Sequence, residues 1–214
     1  MTALPLTVDE VLTTTRTVRK RLDLSRPVPM SLIRECLEIA LQAPSGSNSQ
    51  GWEWLVITDP QQRAAVSAVY QRACEEYLAA APSLTSIEDP ERAATMGRIR
   101  ESTQYLSDHM AEVPVLVIPC IRAGRQGLDA GNQSGLWGSI LPAAWSYMLA
   151  ARSRGLGTAW TTLHLKYEAE VAELLGLPAG VAQALLIPTA YYTGDTFKPA
   201  ARTSLDDVLH VDRW

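Results

Sequence analysis

Three stretches of the chain carry residue types suited to holding an anion and a flat polar group. Arg16 and Arg19 flank Thr17 in the segment TRTVRKR, and a further arginine, Arg202, lies near the C-terminus. Guanidinium groups grip phosphate through forked, charge-assisted hydrogen bonds, and a threonine hydroxyl can add a donor. The second stretch is APSGSNSQGW, residues 43–52, where Pro44 stops a helix and Ser45, Gly46, Ser47, Asn48 and Ser49 offer small side chains and an approachable backbone. Such a loop suits the polar edge of a ring system, and it reads equally as a helix-to-strand connection of ordinary turn residues. In the third, TAWTTL, backbone amides near Thr161 and Thr162 could meet the reactive side of the same ring. The chemistry suggested is retention of a planar, phosphate-bearing cofactor.

Chemistry borne by side chains finds little support. No GxGxxG follows a strand, and GxxxxGK[ST], HExxH and GxSxG are absent. His109, His164 and His210 are solitary and read as hydrogen-bonded structural residues. Ser45 to Ser49 have no recognisable base, so a serine nucleophile is poorly founded. Cys36, Cys74 and Cys120 are widely spaced without a CxxC pair, and read as reduced core residues.

The 214 residues, 47% of them hydrophobic, can fill the core of one domain spanning 1–214. A net charge of -4 argues against a nucleic-acid coat. The apolar runs from Val113 to Ile121 and from Ile140 to Ala151 fall short of the roughly 20 residues that span a bilayer, so no membrane partner is expected. MTALPLTVDEVL lacks the basic-then-apolar order of a secretory signal, and a cytoplasmic location is the expectation.

Elements must position these stretches. Thr7 to Glu10 has the capping-box pattern, so a first helix begins there and runs towards the basic patch Arg16 to Arg21, which on a helix would be a solvated face. Leu32, Ile33, Cys36, Leu37 and Ala40 recur at helical spacing up to Pro44. Trp52 to Thr58 reads as a buried strand, Pro60 to about Ala81 as a helix, and Pro82 to Pro90 as a loop that could cover a site. A helix to Met110 and a buried strand from Val113 to Ile121 follow. Arg122 to Ser134 reads as a Gly-rich loop, and Gly135 to Arg154 as a very apolar helix with Pro142 in its first turn. Thr158 to Leu163 is expected as a strand, Glu168 to Leu175 as a helix closed by Gly176, and Ala182 to Tyr192 as a last strand. Pattern alone leaves a parallel α/β sheet and an α+β arrangement equally open.

Four segments together resemble the FMN-dependent nitroreductase family. TRTVRKR is similar to its R-R-S-V-R phosphate motif, APSGSNSQGW to its A-P-S-x-x-N-x-Q-P-W loop, GLGTAWTTLHL to the strand after its G-L-G turn, and RTSLDDVLHVDRW to its C-terminal arginine and tail. Their order covers nearly the whole chain. The resemblance implies that Arg16, Thr17, Val18, Arg19 and Arg202 hold the FMN phosphate and ribityl chain. It further implies that Pro44, Ser45, Gly46, Ser47 and Asn48 line the flavin, and that Thr161 and Thr162 lie beside its N5 and O4. Departures are Thr15 for the first motif arginine, Gly51 for the proline, and Trp145 and Ser146 where many relatives have glutamine and asparagine.

For fold, the resemblance implies an α+β architecture, a mostly antiparallel sheet flanked by helices in an intertwined homodimer with FMN at the interface. For activity, it implies hydride passage from NADH or NADPH through flavin N5 to a nitroaromatic, quinone or similar small acceptor, in ping-pong order. A dehalogenase or enone reductase on the same scaffold, and a flavin-sequestering protein with little turnover, are the alternatives.

Overall fold

In a computed structural model of the chain, residues 4–122 and 133–214 are described. The expected loop between Arg122 and Ser134 lies almost wholly outside them. The capping box forms as read: Thr7 Oγ1 accepts from Glu10 N, Glu10 accepts from Thr7 N at 2.7 Å, and α1 (Val8–Thr14) starts there. The helix then stops, so the basic patch is irregular chain and not a solvated helix face. Thr15 ends it, its hydroxyl donating to Val11 O at 2.6 Å. α2 (Met30–Ala40) turns Leu32, Ile33, Cys36 and Ala40 inward, as their spacing requires.

β1 (Trp52–Ile57) leads to α3 (Pro60–Ala79) and α4 (Pro90–His109), each begun by an Asp-Pro pair. Asp59 and Asp89 accept from backbone amides of the first turn while proline occupies a position that needs no donor. β2 (Val115–Arg122), α5 (Ser134–Ser153) and β3 (Leu156–Thr158) come next, followed by α6 (Glu168–Leu175), β4 (Val181–Gln183) and β5 (Ile187–Tyr191). Gly176, at φ 66°, closes α6 in the left-handed conformation, and Leu177 N reaches back to Ala172 O at 2.8 Å.

Among the described residues the strands form one sheet in the order β1-β2-β5-β3, with β4 also on β2, and every ladder is antiparallel. This is an α+β fold with helices on both faces. Alternation along β2 divides the core. Val115, Val117 and Ile121 face α2 and α5, whereas Leu116, Ile118 and Cys120 face the side of α3 and α4.

Four expectations for the strands and for α5 need correction. β1 is an edge strand and only half-buried over Trp52 to Val56. The Thr158–Leu163 strand ends at Thr158, after which Thr161 alone bridges to Leu186 and Leu163 to Tyr167 coil into a 3-10 turn. The final strand splits: Ala184 N, bonded to Pro119 O at 2.9 Å, ends the pairing of β4, and Leu186 bridges Thr161 before β5 begins. Pro142 sits inside α5, where it removes a backbone hydrogen bond, and not in the first turn. The apolar character of α5 is largely spent within the chain, since Ile140, Ala143, Ala144, Tyr147, Met148 and Ala151 are buried.

The cysteines are free and buried as expected. His164 differs from its expectation. It is wholly buried, yet neither ring nitrogen has a hydrogen-bond partner among the described residues, and burial pushes its pKa down to about 4.

Candidate functional site

The segment from Arg16 to Leu22 is held to β3 by its own backbone and by two apolar anchors. Val18 N donates to Thr158 O at 2.8 Å, and Thr17 forms a parallel bridge with Thr158. Val18 and Leu22, each 4% exposed, are buried in the core on the α3 side. Gly157 permits this approach: a β-carbon there would lie 3.1 Å from Val18 Cβ, Val18 Cγ1 and Leu22 Cδ2. With Val18 and Leu22 committed inward, the polar residues between them turn outward.

Gly157→Ala is therefore expected to overpack this contact, costing about 1–3 kcal/mol, and Val18→Ala should absorb part of that loss. A thermal double-mutant cycle checks it. Strictly additive effects would mean that the two residues do not meet.

Outward of the anchors lies a cleft of about 290 Å³, lined by Arg16 to Arg21 together with Ser102 of α4 and Phe197. It is at the small end of the roughly 300–1,000 Å³ range usual for small-molecule sites. Its cations are not equivalent. Lys20 is paired with Glu101 at 2.5 Å, and Arg21 donates to the carbonyls of Thr193 and Thr196. Arg16 has no carboxylate partner among the described residues, its Nη1 donating to Lys198 O at 2.8 Å. Arg19 likewise lacks a carboxylate. Its Nη1 reaches Ser102 Oγ only at 3.4 Å, and its Nε is buried without a partner. Burial lowers the Arg19 pKa, as expected for a cation withdrawn from water and left unpaired. An anion here would relieve that deficit, so the residues present fit a phosphate.

Thr15, which stands where the resembled motif has its first arginine, is 8% exposed and bonded to its own helix. That position adds no charge to the cleft.

The 43–52 loop is built elsewhere. Gly46 N donates to Ser139 Oγ at 3.0 Å and Trp52 Nε1 to Ser139 O at 2.9 Å, which pins the loop to the start of α5. Ser45 Oγ accepts from Gln50 N, and Asn48 Oδ1 accepts from Gln50 Nε2, both at 3.1 Å. Ser47, Asn48 and Gln50 take φ of 51°, 52° and 48°, a cluster of non-glycine residues in the left-handed region. Such backbone is costly and concentrates at ligand-binding loops.

Within this chain the cleft gathers Arg16, Thr17, Val18 and Arg19 but not the remaining candidates. Pro44, Ser45, Gly46, Ser47 and Asn48 do not line it. Arg202 is exposed, with Nη1 bonded to the carbonyl of its own neighbour Ala201. Thr161 spends both its N–H and its hydroxyl on Leu186 O. Thr162 is exposed, and its N–H makes no backbone hydrogen bond among the described residues. Sequence reasoning missed Ser102, Phe197 and Ser139, which belong to no motif. Among the described residues no group of three or more His, Cys, Asp or Glu could hold a metal ion, and no helix is long and apolar enough to cross a membrane.

Residues 12–191 match the description of the nitroreductase family. The chain belongs to that family. It is 28% identical over 194 residues to an NADH dehydrogenase of Thermus thermophilus, covering 86% of each chain. A "Putative NADH dehydrogenase/NAD(P)H nitroreductase" of Methanothermobacter thermautotrophicus is 24% identical over 209 residues, covering 96% of this chain and 86% of the relative. Iodotyrosine deiodinase 1 of Rattus norvegicus is 24% identical over 197 residues, 86% of this chain, which spans only 63% of the deiodinase. Among solved structures, the FMN and NADPH-dependent nitroreductase NfnB from Sphigopyxis sp. strain HMH superposes with a TM-score of 0.71 at 21% identity, covering 98% of this chain and 100% of that one. An iodotyrosine deiodinase bound to FMN and 3-iodo-L-tyrosine gives 0.70 at 18% identity, covering 93% and 96%. At these identities the structural matches speak for the fold alone.

Proposed function

We propose that the protein is an FMN-dependent oxidoreductase that passes hydride from NADH or NADPH to a nitroaromatic, quinone or similar small acceptor. The observation that carries this reading is the cleft where Arg16 and Arg19, both without a carboxylate partner among the described residues, converge beside Thr17. Bound FMN would supply hydride uptake and delivery at its ring, and the protein binding, orientation and exclusion of water. Arg16 and Arg19 would grip the phosphate, the Thr17 hydroxyl would add a donor, and Val18 would keep the segment docked on β3. The exposed Thr162 N–H is a donor for the ring edge, while Thr161 holds that turn in place.

Pro44 to Asn48 and Arg202 do not line the cleft of their own chain, so the reading places them on the FMN of a second copy, in a homodimer with FMN at the interface. Exposed Leu205, Val208, Leu209, Val211 and Trp214 on the tail support a paired surface. The whole chain, 1–214, acts as a single domain in this reading, and free buried cysteines suit the reducing cytoplasm. Purified protein is expected to be yellow, and NADH or NADPH should bleach its flavin absorbance. Colourless protein that cannot be reconstituted with FMN would end the proposal. Similarity to the deiodinases favours reductive dehalogenation as a second reading, which an anaerobic acceptor screen separates from nitro or quinone reduction.

A further inference from the structure

Arg21 belongs to the basic segment but is engaged by the chain around residues 193–197. Its Nε donates to Thr193 O at 2.7 Å and its Nη1 to Thr196 O at 3.0 Å, while its own carbonyl accepts from Thr193 N at 2.8 Å. The guanidinium lies 4.2 Å from the Phe197 ring centroid and 5.6 Å from that of Tyr192. Arg152, only 3% exposed, approaches the same rings at 5.1 and 5.5 Å and donates to Tyr192 OH at 2.8 Å and to Thr14 Oγ1 at 3.3 Å. Two arginines and two rings thus lock residues 192–197. One residue beyond the lock, Lys198 O receives Arg16 Nη1.

The turn closes around Arg21 in a way that requires glycine. Gly194 has φ 80°, and a β-carbon there would lie 2.8 Å from Arg21 Nη2. Lysine could not replace the arginine, because only a planar fork can satisfy two carbonyls and stack on a ring at once.

We propose that Arg21 is a positioning residue for the anion clamp: it fixes the 193–198 strap so that the Lys198 carbonyl holds Arg16 at the cleft before ligand arrives. Ordering a long side chain in advance reduces the entropy lost on binding. This rests on the FMN reading above.

Flavin fluorescence titrations with FMN and with riboflavin, which lacks the phosphate, test it on full-length wild type, Arg21→Lys, Arg21→Ala and Gly194→Ala. Wild type should prefer FMN to riboflavin by at least tenfold. Each variant should narrow that ratio about tenfold, with riboflavin affinity within twofold of wild type. A retained wild-type ratio overturns the positioning role, and so does equal weakening towards both flavins, which would mark Arg21 as generally structural. Should Arg21→Ala fail to fold, the lysine and Gly194 variants decide. A wild type that binds neither flavin, or binds both equally, instead overturns the FMN reading and the clamp with it, so the two failures are read from different proteins.

Discussion

Arg19→Met is expected to weaken FMN binding by about 30- to 100-fold while leaving the melting temperature of the ligand-free protein unchanged or raised. The two halves of this result come from one feature. Without ligand, Arg19 has among the described residues a single long hydrogen bond to Ser102 and a buried Nε with no partner, so it makes the fold pay for desolvating a charge. Methionine keeps the apolar stem and removes that cost. With phosphate bound, the same guanidinium should make charge-assisted bonds worth about 1.5–3 kcal/mol each, and about 1.4 kcal/mol is tenfold in affinity. Titration at two salt concentrations and a thermal melt of the apoprotein check both halves. FMN affinity within threefold of wild type would remove Arg19 from the clamp, and a clearly lower apoprotein melting temperature would show that its stabilising contacts outweigh its burial.

Stability is expected to fall between pH 6.5 and 4 because of His164. Its pKa of about 4 in the folded chain lies below the ordinary value of 6.5. In that window the unfolded chain takes up a proton that the folded chain refuses, so the contribution is fully present above pH 6.5 and is lost progressively as pH falls. A folded value of about 4 against the ordinary 6.5 puts the loss at about 3 kcal/mol. At about 2–4 °C per kcal/mol for a chain of this size, the melting temperature should drop by roughly 6–12 °C. Half-exposed carboxylates held below their ordinary range by hydrogen bonds, such as Glu35 beside Arg154 and Glu76 beside Lys166, begin to lose their contribution only as pH falls through the ordinary carboxylate value of 4.5. Melting curves from pH 7 to 4.5 for wild type and His164→Leu separate the two. A variant that loses stability across this range as steeply as wild type would exonerate the histidine.

Much of the fold is legible in residue patterns because its causes are local. Thr7 with Glu10, Pro60 at the head of α3, and Gly176 after α6 act within one turn of themselves, so boundaries read from them agree with the structure. The 3.6-residue spacing of Leu32, Ile33, Cys36 and Ala40 likewise suffices to orient α2. Strand ends follow a different cause. TAWTTL has strand-forming residues throughout, yet pairing stops after Thr158 because a ladder needs a partner in register, and composition does not contain the partner.

The same division holds for the site. By its own residues the sequence offered Arg16, Arg19 and Arg202 as candidate partners for an anion, since charge and fork geometry belong to the side chains themselves. Which arginine is free to act was decided only by tertiary structure. Lys20 and Arg21 read as basic as their neighbours, but Glu101 neutralises one and the carbonyls of Thr193 and Thr196 capture the other, from 81 and more than 170 residues away. Burial of the Arg19 Nε, and the absence of Arg202 and the 43–52 loop from the lining of this cleft, have the same origin. They depend on which distant backbones the sheet brings together, and no local pattern encodes that.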